Sequence, residues 1–242
     1  MSEIKVKTIE PSTGTNLTLG TSGDTIAVSS DAIKLDIWKD SGGNTLFQSD
    51  GAGTLSNVNS GIAGGGPQLI LSQSAVNSAS ITFTANIDST YDHYMFVWVS
   101  IHPSADTVKF QFQASTDAGS NYNINMTTMV FASDNREDDT AGSLQYEGGD
   151  IQQDGTSYQN LTLALASDDD SCTSGILHLY NPSSTTYVKN FYATSNELHN
   201  NDGINHTFAG GILNTTSAIN AVSFKVSSGN LDVGKIKMYG VV

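Results

Sequence analysis

One cysteine, four prolines and ten basic residues are few for a chain of 242 residues, and each shortage excludes something. Cys172, standing alone, permits neither an intrachain disulfide nor a thiolate-rich metal site. Stability therefore has to come from packing or from assembly. Ten Lys and Arg against 24 Asp and Glu leave a formal charge of -14, and phosphate binding needs clustered cations. Nucleic acid is not an expected partner, and anionic membrane surfaces are disfavoured for the same reason. No apolar run approaches the roughly 20 residues of a membrane helix, so membrane insertion is not expected. "MSEIKVKTIEP" lacks the apolar core of a secretory signal, which points to synthesis in the cytoplasm. No segment carries a sustained helical stripe with caps. Charged residues make up only 14% of the chain, and Ser, Thr, Asn and Gly take their place, a composition suited to turn-rich β structure.

The apolar residues confirm the β character in two styles. Between Thr15 and Leu55 they form short alternating triplets, Leu17-Thr18-Leu19, Ile26-Ala27-Val28 and Ile33-Lys34-Leu35, then Leu46-Phe47, separated by Gly, Asn, Asp and Ser about every ten residues. Strands this short bury a face only when identical chains supply partners, since isolated hairpins are marginal in water. Residues 1-60 are accordingly expected to be a β-triplet shaft, an oligomerisation or anchoring segment. Leu17, Leu19, Ile26, Val28, Ile33 and Leu35 are its candidate oligomerisation residues.

After Pro67 the alternation lengthens. "ASITFT", "TVKFQFQA", "LTLALA", "AVSFKV" and "KIKMYG" each place apolar side chains on one face, as half-buried strands do. "YDHYMFVWVSI" differs: it is apolar on both faces from Tyr94 to Val99, the pattern of a central strand covered on two sides. With "QLILSQ", "NINMTTMVF", "SGILHLYNP", "YVKNFYAT" and "HTFAGGIL", ten or eleven strands are expected, arranged as an antiparallel sandwich of jelly-roll type over residues 68-242. Residues 61-67, with Gly64, Gly65, Gly66 and Pro67, form the expected hinge between the parts. The charge divides there too. Residues 1-66 contain four basic and seven acidic side chains, net -3; residues 67-242 contain six and seventeen, net -11.

Residues that could carry chemistry are sparse. No Gly-x-Ser-x-Gly elbow is present and no local signature frames Cys172, so no catalytic residue is expected. His93, His102, His178, His199 and His206 lack the close spacing of metal motifs. Asp134, Glu137, Asp138 and Asp139 form one acidic cluster and Asp168, Asp169 and Asp170 another. Without the ligand spacing of a calcium loop they read as solvated loops, and no cofactor or metal is expected. Tyr94, Phe96 and Trp98 lie in the most apolar strand and read as core. Tyr122 in "GSNYN" and Tyr146 in "LQYEGG" sit in polar loops and are the candidate ligand contacts.

Several segments, "IEPSTGTNLTLGTSGDTIAV", "SITFTANIDSTYDHYMF", "IHPSADTVKFQFQASTDAGSNY", "LHLYNPSSTTYVKNFYATS" and "LNTTSAINAVSFKVSSGNLDVGKIKMYG", together resemble structural appendage proteins of marine tailed bacteriophages. The resemblance runs through nearly the whole chain. It implies a short N-terminal mount before a β-sandwich tip, trimeric assembly on a virion, and contact with other virion proteins and with a host glycan or protein. It brings no catalytic or binding residue. The expected function is thus a non-enzymatic homotrimeric fibre with a host-binding sandwich. A capsid head fibre or decoration protein is the alternative, and a glycan depolymerase, which needs a cleft with two carboxylates, ranks last. If the glycines are a joint, replacing Gly64, Gly65 and Gly66 with Ala disturbs assembly or tip orientation while leaving the sandwich's unfolding midpoint nearly unchanged.

Overall fold

The structure, a computed structural model, describes residues 37-40, 42-49, 52, 55-56, 58, 66-136, 142-200 and 203-241. The chain divides into two compact units, Met1–Gly64 and Gly65–Val242. In the first, β1 (Ile37–Lys39), β2 (Thr45–Ser49) and β3 (Leu55–Ser56) form a three-stranded antiparallel sheet in that order. Trp38 lies opposite Phe47 with ring centroids 5.7 Å apart, and the Asp40 carboxylate closes the β1-β2 turn by accepting the amides of Gly42 and Asn44 at 2.9 and 2.8 Å. Leu17, Leu19, Ile26, Val28, Ile33, Leu35, Gly64 and Gly65 lie outside the described residues. Gly66 and Pro67 are exposed.

The second unit is an all-β antiparallel sandwich. Its strands are β4 (Gln68–Ser74), β5 (Ile81–Phe83), β6 (His93–Pro103), β7 (Phe110–Ser115), β8 (Met126–Arg136), β9 (Gly142–Tyr146), β10 (Gln153–Gly155) and β11 (Gln159–Asn160). They continue with β12 (Thr173–Tyr180), β13 (Lys189–His199), β14 (Gly203–Leu213), β15 (Ala221–Val226) and β16 (Leu231–Val241). The larger sheet has nine strands, ordered β10-β8-β14-β13-β12-β6-β16-β4, with β9 also paired to β8. The smaller has four, ordered β11-β7-β15-β5.

Alternation fixes which side chains enter the core. Tyr94, Phe96 and Trp98 of β6 and Leu177 and Leu179 of β12 turn inward from the large sheet and are fully buried. Phe83, Phe110, Phe112 and Phe224 answer from the small one. Phe224 is the hub: its ring lies 5.5 to 6.4 Å from those of Phe83, Phe96, Phe110 and Phe112. The indole of Trp98 lies across Gly175, its cross-strand partner, where an added Cβ would collide with the ring and with the Thr194 carbonyl.

Two sequence expectations need correction. "LTLALA" is no strand beyond two isolated bridges at Leu165, to Val108 and to His199; it is a strap between the sheets. Its Leu163 and Ala164 amides bond to the buried Glu197 carboxylate instead of to a neighbouring strand. And β6 is covered on one side only: it is central, between β12 and β16, but its other face leaves Met95 and Val97 half-buried and Val99 exposed.

Truncating the hub tests the core. Phe224→Ala removes a fully buried ring shared by both sheets and should cost about 3–5 kcal/mol in urea unfolding. A loss below about 1 kcal/mol would contradict a single core joining the two sheets.

Candidate functional site

The uncovered face of the nine-stranded sheet collects the side chains that point away from the core. Strand registers align them in rows. One row runs Phe131, Phe208, Thr194, Ile176, Val97 and Lys237, and Tyr146 extends it beyond Phe131. The next runs Met129, Gly210, Tyr192, His178, Met95 and Tyr239, and a third brings Tyr180 opposite His93. Met129, Phe131 and Tyr192 are 58%, 40% and 44% exposed. Apolar and aromatic side chains are thus contiguous across six strands, where a solvated sheet face would alternate to polar residues.

The rings hold one another. Phe131 and Phe208 stack with centroids 4.8 Å apart and 12° between planes; His178 stacks on Tyr192 at 4.5 Å and His93 on Tyr180 at 4.6 Å. Rings whose faces are taken up by neighbours present their edges outward, so this face offers fewer open ring faces than a sugar-stacking platform would. Between Met129 and Tyr192 the row has only Gly210, and two adjoining depressions of about 440 and 160 Å³ open there. A Cβ at Gly210 would make ordinary contacts only, so the groove follows from the missing side chain and not from strain.

His93 and His178 meet within this face. His93 Nε2 lies 2.7 Å from His178 Nδ1, while the ring centroids are 4.9 Å apart. Those two distances place the rings edge to edge, nitrogen facing nitrogen, so one ring supplies an N-H and the other a lone pair. Burial lowers the pKa of both, and the charge on His93 adds to the lowering of His178. The two residues are 85 positions apart, and only the β6-β12 pairing joins them. The alternation of both strands was visible in the sequence; their register was not.

The expected site residues fall differently. Tyr146 sits on β9 opposite Phe131, at the margin of the aromatic face, and is 62% exposed. Tyr122 is half-buried with its hydroxyl enclosed, so its polar end does not face solvent. Asp168, Asp169 and Asp170 are exposed in a turn; Asp134 lies in β8; Glu137, Asp138 and Asp139 are outside the described residues. Among the described residues no group of three or more His, Cys, Asp or Glu side chains is placed to hold a metal ion.

A second cluster lies on the inner face, at one end of the same strands. Asp134, Asn205 and Glu197 stand in one cross-strand row beside a cleft of about 230 Å³ lined also by Arg136 and His199. A hydrogen bond from Ser143 holds the Asp134 pKa down and burial pushes that of Glu197 up. This is the divergence an acid-base pair requires. Glu197, however, is 2% exposed. Its Oε1 accepts the amides of Leu163 and Ala164 and the side chain of Asn205, and its Oε2 is sealed from solvent without a partner. Its role in this geometry is to anchor the strap.

No family model matches this chain, nor does any curated protein or solved structure.

The Glu197 anchor has a pH signature. Because burial raises its folded-state pKa above the ordinary 4.5, its contribution is fully present below that value and is lost as pH rises through the raised one. Glu197→Gln keeps an acceptor for the strap amides and cannot ionise. It should therefore unfold with a rising stability advantage over the native chain as pH increases from about 4.5 to neutrality. Parallel stability-pH curves for the two proteins would show that ionisation at this position is not linked to folding.

Proposed function

We propose that this chain is a non-enzymatic virion structural protein, a trimeric fibre whose residues 1-60 mount it and whose C-terminal sandwich meets the host surface. The observation that carries this reading is the exposed aromatic face of the nine-stranded sheet. Contiguous apolar side chains of this extent on a β-sandwich suit contact with another macromolecule. A shallow, open surface spread over six strands gives a partner area to bury, as a recognition module requires, and a trimer of such tips multiplies modest contacts through effective concentration. Tyr146, at the edge of the face, is the candidate side chain for contact beyond it.

The resemblance of the segments beginning "IEPSTG", "SITFTA" and "IHPSAD" to phage appendage proteins adds the location, a virion surface. A capsid head fibre or decoration protein is the second reading, favoured by the same face, since an apolar sheet surface seats equally on a capsid lattice. Immunogold labelling of intact virions distinguishes the two. Tail-tip label and blocking of adsorption by purified protein are the expected results. Label on the head with no effect on adsorption favours the decoration role, and absence from virions overturns both. Release of oligosaccharide from host polysaccharide would overturn the non-enzymatic reading.

A further inference from the structure

We propose that the outer face of the nine-stranded sheet is where a second copy of this chain docks, and that the His93-His178 pair makes the contact proton-sensitive, closed at neutral pH and released as pH falls. The inference rests on reading the face as a contact surface and narrows that reading: a face covered by a neighbouring copy is not itself open to the host, whose contact then falls to the rim at Tyr146.

Three observations select a second copy. First, β6 is apolar on both faces, and the small sheet covers only one. The described sandwich supplies half the cover that this strand calls for. Second, among the described residues the aligned rows of this face hold no carboxylate, although residues 67-242 carry seventeen acids against six bases. The carboxylates within β6, β8, β12, β13, β14 and β16 are Asp134 and Glu197, on the opposite face, and Asp232, beyond the bulges of β16. The fixed charges in the aligned rows are Lys235 and Lys237. Two chains of formal charge -14 repel wherever acidic surfaces meet, so a surface cleared of acids, with two lysines, is what association of like copies requires. Third, Gly210 leaves a groove between Met129 and Tyr192 that an inserted apolar side chain can fill.

The histidine pair supplies the control. With one shared proton the two rings satisfy each other at 2.7 Å and need no water, so they can be covered. With both rings fully protonated, two N-H groups oppose one another and two positive charges sit in the covered face. The groups facing them do not offset that charge: Tyr180 on β12, Tyr192 on β13, and Tyr239 and Lys237 on β16. Asp92, which precedes His93, is exposed, and its carbonyl accepts the Asn181 amide. Burial already disfavours the charged rings in one chain, and a covering copy desolvates them further.

Sedimentation velocity of the full chain across about pH 7.5 to about pH 5 tests this. The native chain should be associated at neutral pH and dissociate on acidification, reversibly and with an unchanged far-ultraviolet spectrum. Tyr192→Glu, at an exposed position, should weaken association at neutral pH by about a hundredfold or more without lowering the unfolding midpoint. Met129→Glu provides the same test one strand pair away. His178→Gln should stay associated at about pH 5. Wild-type association of both glutamate variants would overturn the proposal, as would a native chain monomeric at neutral pH, or acid dissociation that persists in His178→Gln. The place of the protein on virions is read by labelling and not by sedimentation, so that location stands or falls separately, whereas a native chain monomeric at neutral pH would overturn the trimer as well.

Discussion

An antiparallel sheet has two faces, and the sandwich unit, as described, supplies a cover for one. Nine strands pack their inward side chains against a sheet of four, with Phe224 joining rings from both layers, and among the described residues of this unit no layer covers the opposite face of the large sheet. The whole arrangement depends on that imbalance. It makes β6 central in the sheet but open on one side, and it aligns aromatic rows across six strands. It also brings His93 within 2.7 Å of His178. Were the small sheet's counterpart present on the outer face, those side chains would be ordinary core.

Charge makes the open face more than a hydrophobic accident. Of the seventeen acids of residues 67-242, none of those described lies in the aligned rows of the outer face, and two lysines, Lys235 and Lys237, do lie on it. Solubility in such a protein comes from the remaining surface, and a face cleared of like charge is the one on which copies can approach. The inner end of the same strands shows the opposite use of polarity. There Glu197 is buried to hold the Leu163-Ala164 strap, and its orphaned Oε2 marks a place where ionisation works against folding.

Much of the fold was legible because period-two alternation survives wherever one side of a strand is buried. "TVKFQFQA" and "AVSFKV" pair as β7 and β15 with Phe112 opposite Phe224, and both rings enter the core. "LTLALA" misled because its alternation reflects Leu161 and Leu165 dropping into the sandwich from a strap, with hydrogen bonds to a side chain that no local pattern announces. The two-sided apolarity of "YMFVWV" was read as a covered strand. Sequence tells that both faces want cover, and not whether one chain provides it. The candidate site was legible only at its margin, in Tyr146. His93 and His178 each look isolated, since register across strands far apart in sequence is set by the whole sheet.

The central claim is that the outer face is covered in the assembled protein, and oxidative footprinting of the full chain reads it directly. Met129 is 58% exposed and Tyr187, in the loop before β13, is 69% exposed, so the folded chain alone would leave both open to hydroxyl radicals. The account predicts that at neutral pH Met129 is strongly protected while Tyr187 reacts freely, and that Met129 becomes reactive on acidification. Equal, pH-independent labelling of the two residues would contradict it.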